Sequence, residues 1–375
     1  MNTLIEKWKS GSIPRLGFGA MRLPEDSNNE MDFEMTNALV DAYMATEFGC
    51  IHYFDTAYGY HAGRSETTIR ECVVKRYPRE SFYLADKMPF WQVKAPEDME
   101  RIFNHQLEKC GVDYFDFYLL HCMENDTYAT AKQHGGYAFL KALKASGKAK
   151  HIGFSFHGDA KLLTTILDDC PEVDFVQLQL NYLDCNDYGA QELYDIVTAR
   201  NLPIIVMEPV RGGALAVMAD EAEATFKAAA PNASIASWAI RYVASLPNVM
   251  TVLSGMSTMP QVQDNTALLK DFVPLSDAEY KVIGTVLGQL RAIPTVPCTA
   301  CKYCATCPQE IPISDIFTMY NRYAGNKDLP GFRRAYSGIN EANRVTQCIE
   351  CGACEAVCPQ SIAIPARLKE AISAL

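Results

Sequence analysis

Residues 51–66 read IHYFDTAYGYHAGRSE. The segment opens as an apolar, β-favouring run (Ile51, Tyr53, Phe54) and breaks abruptly into Asp55, Thr56 and Ala57. Two tyrosines, two glycines and a charged helix start follow. A buried-strand signal that ends in an acid and a phenol is the pattern of a strand end at the functional face of an α/β barrel. By itself Asp55 is an ordinary turn or cap residue, so its reading depends on the other strand ends.

Those strand ends recur along the chain. Apolar runs at residues 16–21, 51–57, 82–88, 115–121, 151–157, 175–182, 203–210 and 250–256 alternate with helix-period stretches at 34–48, 66–75, 98–110, 137–146, 160–169, 191–200 and 234–245. Eight strands alternating with such helical stretches over roughly 250 residues match the rhythm of a (β/α)₈ TIM barrel. A doubly wound open sheet would want a GxGxxG turn after its first strand, and Gly17-Phe18-Gly19-Ala20-Met21-Arg22 does not supply it. The expected barrel occupies residues 1–290. Its strand ends carry Asp55, Tyr60, Lys87, His121, Ser155, His157, Gln177, Gln179, Asn181, the run Glu208 to Gly213, and Ser254 to Ser257. Each has an unremarkable reading alone. An acid, a phenol, a lysine and an imidazole converging from consecutive strands are a stronger signal than any one of them.

Composition narrows the class. The 375 residues are 49% hydrophobic and 21% charged, enough for a well-buried core, with a net charge of −11 and no basic block. Nucleic acid and anionic membrane surfaces are therefore not expected partners. The first residues lack the apolar core of a secretion signal, and no apolar run reaches the ~18–20 residues of a bilayer span. A cytoplasmic protein is expected.

The fourteen cysteines are unevenly spread. Cys50, Cys72, Cys110 and Cys170 read as small apolar packing residues, as does Cys122 beside His121. Eight more form two tight runs, Cys298-x2-Cys301-x2-Cys304-x2-Cys307-Pro308 and Cys348-x2-Cys351-x2-Cys354-x3-Cys358-Pro359. The runs are an internal repeat, because CPQEIPI after Cys307 is echoed by CPQSIAIP after Cys358. Without a secretion signal this clustering argues for metal rather than disulfides. A zinc ribbon needs two CxxC knuckles on a longer loop, and the continuous x2 spacing suits it poorly. Residues 291–375 are thus expected to form a second, α-rich unit. Between the runs, Phe317, Tyr320, Tyr323, Phe332 and Tyr336 read as core aromatics of a helical insert.

The motifs LGFGAMRLP, FDTAxxY, the strand-ending Lys and LLH, IGFS, VQxQxNY, EPxRGG and the final GMS…DN resemble the aldo-keto reductase superfamily over residues 13 to 270. The resemblance implies a catalytic tetrad of Asp55, Tyr60, Lys87 and His121. Tyr60 is favoured over Tyr58 because the family's tyrosine stands five residues after the aspartate. A phenol of pKa ~10 is a weak acid near neutrality, and Lys87 held by Asp55 would be expected to lower it. His121 would then orient a carbonyl or share the proton. The same resemblance implies nicotinamide contacts at Ser155, Gln177 and Asn181, with Gly19 and Met21 beside them. It implies pyrophosphate contacts at Pro209, Arg211 and Gly213, and adenosine-end contacts at Gly255, Ser257, Gln261 and Asn265. Phe156 stands where many relatives have Asn. Gly255 and Gln261 stand where NADPH-dependent relatives often carry Lys and Arg, so NADH and NADPH both stay open.

The tail resembles a bacterial dicluster 4Fe-4S ferredoxin, whose second run it matches and whose first it matches but for one residue. The crossover known for that arrangement implies one cluster on Cys298, Cys301, Cys304 and Cys358, and another on Cys348, Cys351, Cys354 and Cys307. Together the two resemblances imply an oxidoreductase that reduces a small-molecule carbonyl with NAD(P)H, the clusters serving electron transfer or structural support. A protein electron partner is compatible with this, and so is a flavin converting two-electron to one-electron steps, although no flavin motif is identifiable. The alternative is an electron-transfer or redox-sensing module whose barrel binds without turnover.

Overall fold

The computed structural model describes residues 3–375. Eight parallel strands close into a barrel in sequence order. They are β1 (Leu16–Gly19), β2 (His52–Asp55), β3 (Phe82–Met88), β4 (Phe115–Met123), β5 (Ala149–Phe156), β6 (Phe175–Gln179), β7 (Ile204–Met207) and β8 (Val249–Ser254). Closure sets Phe18 of β1 opposite Ser254 of β8, and Asp55 of β2 pairs with Gly19 on one side and Ala85 on the other. Strands β2, β3, β4 and β8 are buried at every position. Sheets covered on both faces read as continuous apolar runs rather than alternating ones, which is why these segments stand out in the sequence.

All eight expected strands form, with ends shifted by a few residues. The helices are less complete in the sequence pattern. Asn125–Gln133, Tyr182–Asp187, Asp220–Ala229 and Met259–Lys270 fall outside the periodic stretches. The expected helix at 66–75 forms as a short α-helix, Ser65–Ile69, running into a π-helical turn at Arg70–Val74. A further helix, Thr3–Lys9, sends Leu4 into a cluster with Ile13, Tyr53, Phe117, Phe175, Ile205 and Met250. Those residues lie at the starts of their strands, so the helix plugs the N-terminal end of the barrel and leaves the C-terminal end to the site.

Two compact units emerge, and they do not divide the chain at a single point. One comprises residues 1–209 and 240–274; the other comprises 210–239 and 275–375. Residues 210–239 and 275–290 therefore group with the cysteine-rich tail. Within that second unit, Phe226 stacks on Trp238 at 4.6 Å between centroids. Its core gathers Val296, Ile311, Ile316, Phe317, Tyr320, Phe332 and Leu368, so Phe317, Tyr320 and Phe332 are core aromatics. Asn321 clamps the chain ahead of the first cysteine, accepting from Val296 N and donating to Val296 O, both at 2.8 Å. Among the described residues no helix is long and apolar enough to cross a membrane.

Two predictions follow from the barrel wall. A Cβ on Gly153 of β5 would lie 2.5 Å from the Phe175 carbonyl oxygen and 2.9 Å from its ring. Gly153→Ala should therefore destabilise the fold by about 1–3 kcal/mol, read as a lower denaturant midpoint. His151, buried beside Phe117, is pushed down to about 3 by burial, with Lys7 and Lys144 adding to it. It folds neutral, so its contribution is complete above its unfolded pKa of ~6.5 and is lost as pH falls towards 3. The loss should approach ~1.4 kcal/mol per pH unit for one proton. His151→Gln should flatten that part of the stability–pH curve; an unchanged curve would refute the assignment.

Candidate active site and cysteine-lined cavities

The barrel's C-terminal end brings Asp55, Tyr60, Lys87 and His121 together. Lys87 is fully buried on β3, a position a lysine holds only when its charge is matched. Its Nζ donates to Asp55 Oδ1 at 2.6 Å, to the Thr56 carbonyl at 2.7 Å and to the Tyr60 hydroxyl at 3.5 Å. The same ammonium lies 5.0 Å from the centre of the Tyr60 ring. His121, at the end of the regular β4 register, stands edge-on to Tyr60 with centroids 5.9 Å apart.

Electrostatics correct one expectation. Tyr60 is held well above the usual phenol range, first by burial and then by Asp55 and Glu208. Lys87 does not lower it, because the ammonium lies closer to Asp55 than to the phenol and burial outweighs its remaining pull. Burial likewise raises the Asp55 carboxyl against the attraction of Lys87. His121 is held well below the imidazole range by burial and by the Lys87 charge, so its ring is neutral near pH 7. The site therefore presents a protonated phenol and a neutral imidazole on a buried ion pair.

The other barrel residues named from the sequence fall into two groups. Gln177 keeps a buried amide oxygen without a hydrogen-bond partner, while its Nε2 makes only a 3.5 Å approach to Met207 Sδ. An unpaired buried acceptor is costly, and a carboxamide such as nicotinamide's would satisfy it. Ser155 Oγ is engaged, accepting from Cys122 N at 2.8 Å. Asn181 caps the helix Tyr182–Asp187, accepting from Asp184 N, and its Nδ2 donates to Asp184 Oδ2 and the Glu208 carbonyl. Gly19 ends β1, Met21 lies in the 3₁₀ turn Ala20–Arg22, and Pro209 is buried after β7.

At the β8 end, Gln261 accepts from Ser257 N and Thr258 N and so caps its own helix. Ser257 Oγ donates to the Arg22 carbonyl, and Asn265 donates to Ser254 Oγ. Gly255 packs against the Arg22 side chain. Arg22 in turn pairs with Glu208 at 3.1 Å, a link across the strand ends that the sequence did not announce. Trp91 is also new: it is 47% exposed, yet its ring lies 5.0 Å from His121. An aromatic two residues past the Pro that follows strand β3 was the available signal.

Glu66, Asp86 and Cys110 bring three donor atoms within 4.8 Å of one another. Lys109 already bonds Glu66, and burial with the nearby Glu66 raises Asp86 well above the carboxylate range.

In the second unit the eight thiols line two cavities. Cys298, Cys301, Cys304 and Cys358 border one; Cys307, Cys348, Cys351 and Cys354 border the other. This is the crossover grouping that the ferredoxin resemblance implies, with Cys307 facing the second set despite its shortened spacing. Among the described residues no three of these sulfurs lie within 4.8 Å of one another. A tetrahedral Zn–S₄ site with ~2.3 Å bonds would draw them closer, so the spread suits a larger group. Left-handed backbone at Ala300, Lys302, Glu350 and Gly352 turns the loops around the thiols, and Ala300 N donates to Cys298 Sγ at 3.4 Å.

Comparison with known proteins follows the same division. The profile of the aldo/keto reductase family matches residues 15–287, and that of the 4Fe-4S dicluster domain matches residues 297–363. An NADH-specific methylglyoxal reductase of Escherichia coli (strain K12) is 24% identical over 311 residues, 72% of this chain and 93% of that protein. An aldo-keto reductase of Mycolicibacterium smegmatis is 27% identical over 209 residues, 54% of this chain and 66% of its own length. Among solved structures, an aldo/keto reductase from Klebsiella pneumoniae in complex with NADP and acetate superposes with a TM-score of 0.59 at 20% identity, covering 73% of this chain and 92% of its own. At that identity the likeness carries the fold.

Proposed function

The chain belongs to the aldo/keto reductase family, and on that premise we propose that it reduces a small-molecule carbonyl with Tyr60 as proton donor. The observation that carries this reading is the buried Lys87 ammonium, which ties Asp55 to the Tyr60 hydroxyl beside the His121 ring. A reduced nicotinamide, which Gln177 with Ser155 and Asn181 would hold, would supply the hydride. Tyr60 gives its proton to the carbonyl oxygen as the hydride reaches carbon, so carbonyl, hydride and proton become an alcohol. The phenol is protonated beforehand, as a donor must be, and the Lys87 ammonium, 3.5 Å away, keeps its hydroxyl in position. Neutral His121 donates a hydrogen bond to the developing oxyanion, and Asp55 holds the ammonium in place. Trp91 walls the substrate position.

The orphaned oxygen of Gln177 supports nicotinamide at this end. NADH is the preferred form: neither Gly255 nor Gln261 supplies a cation for a 2′-phosphate, the Arg22 packed on Gly255 is paired with Glu208, and the E. coli relative is NADH-specific by name. That relative also makes methylglyoxal, a small dicarbonyl, the first substrate to try.

The two four-thiol cavities each take one 4Fe-4S cluster, about eight irons per chain. Each cluster passes one electron, whereas a hydride carries two, so the clusters serve a separate electron partner or hold the tail's fold. A module that only transfers electrons would not need a buried, charge-matched lysine at a phenol.

Tyr60→Phe should cut NADH-dependent reduction of methylglyoxal by at least ~100-fold while leaving the iron content unchanged. Activity that survives the substitution would remove Tyr60 from the mechanism. Anaerobically purified protein should contain about eight irons with matching sulfide; one zinc and no sulfide would end the cluster assignment.

A further inference from the structure

The loop that leaves β7 belongs, by its contacts, to the cysteine-rich unit. There its backbone packs directly on the first cysteine loop. A Cβ on Gly212 would lie 1.9 Å from the Thr299 carbonyl oxygen, and Gly212 itself has φ +65°. No other residue fits that approach. Thr299, next to Cys298, is buried. Arg211 precedes this contact with φ +50°, a left-handed conformation that a residue with a Cβ adopts only when its surroundings impose it. Its side chain is only 4% exposed. Arg211 thus stands, buried, one residue before the glycine that packs on the neighbour of Cys298. The second set is placed differently: Cys351 and Ile349 are exposed.

We infer that Arg211 is a positioning residue for the cluster on Cys298, Cys301, Cys304 and Cys358: its buried guanidinium raises that cluster's reduction potential, and the Gly212–Thr299 contact holds it there. The inference rests on the cluster reading above. Reduction adds one electron to a group that is already anionic. A fixed cation in a low-dielectric surrounding stabilises the more negative state. Arginine stays protonated throughout, so the effect does not depend on its titration.

The test is an anaerobic potentiometric titration with dithionite as electron donor, followed by electron paramagnetic resonance, on the full chain and on Arg211→Gln and Arg211→Lys, with iron counted in each. Removing the charge should shift the reduced-to-oxidised ratio of one cluster about tenfold towards the oxidised form, ~59 mV downward for a one-electron couple. The other cluster should be unmoved, and Arg211→Lys should recover most of the shift. Loss of about half the iron in Arg211→Gln but not in Arg211→Lys would also support the role. Two unshifted potentials with full iron in Arg211→Gln would overturn it. Equal loss of iron or fold in both variants would overturn it too, because a packing role ignores charge. Zinc in the unaltered protein would instead overturn the cluster reading itself, and the metal count separates the two failures.

Discussion

A lysine with no solvent exposure is the constraint on which the barrel's chemistry depends. Lys87 is tolerated inside because Asp55 and the Thr56 carbonyl receive its protons at 2.6 and 2.7 Å. Removing one member of such a pair commonly costs about 3–5 kcal/mol, since it strands a buried charge. The pair is possible only because β2 and β3 are neighbours in a register that sets Asp55 opposite Ala85, two residues before Lys87. Register, burial and ion pair therefore determine one another. The third proton of the ammonium points to the Tyr60 hydroxyl, where a carbonyl reductase needs a poised donor.

The same burial explains why the resting phenol is stubbornly protonated. An ammonium already neutralised by Asp55 has little pull left for a hydroxyl 3.5 Å away, and desolvation of the phenolate dominates. In the reaction proposed for Tyr60, acidity comes from the negative charge that builds on the substrate oxygen and draws the proton across. A donor held this way does not lose its proton to solvent between turnovers. The cysteine cavities follow another logic. There, left-handed turns and a backbone clamp at Asn321 hold the thiols in two sets of four.

How much of this was legible varied by element. The eight strands were, because parallel strands buried on both faces leave unbroken apolar runs. The meeting of Asp55, Tyr60, Lys87 and His121 was, because each lies near or just past the C-terminal end of a strand. The helix at Met259–Lys270 was not, since a polar, weakly periodic segment gives no clear apolar stripe. The plug by Leu4 was invisible because a seven-residue helix is defined by what it covers. Trp91 is an ordinary exposed aromatic until its distance to His121 is known. Asn181 and Gln261 showed the reverse: residues with a ligand-binding look are also engaged as helix caps.

Local order alone carried the barrel, the four residues that converge at its strand ends and the two cysteine runs: each is written as a strand end, a residue type or a spacing. Tertiary structure alone decided what depends on residues far apart in the chain. It set the direction of the Tyr60 shift, a balance of burial against a charge already spent on Asp55. It exposed the unpaired oxygen of Gln177. It also moved the loop after β7 into the unit of the cysteines, where glycine at position 212 is required by a carbonyl 87 residues later in the chain, a contact no local pattern records.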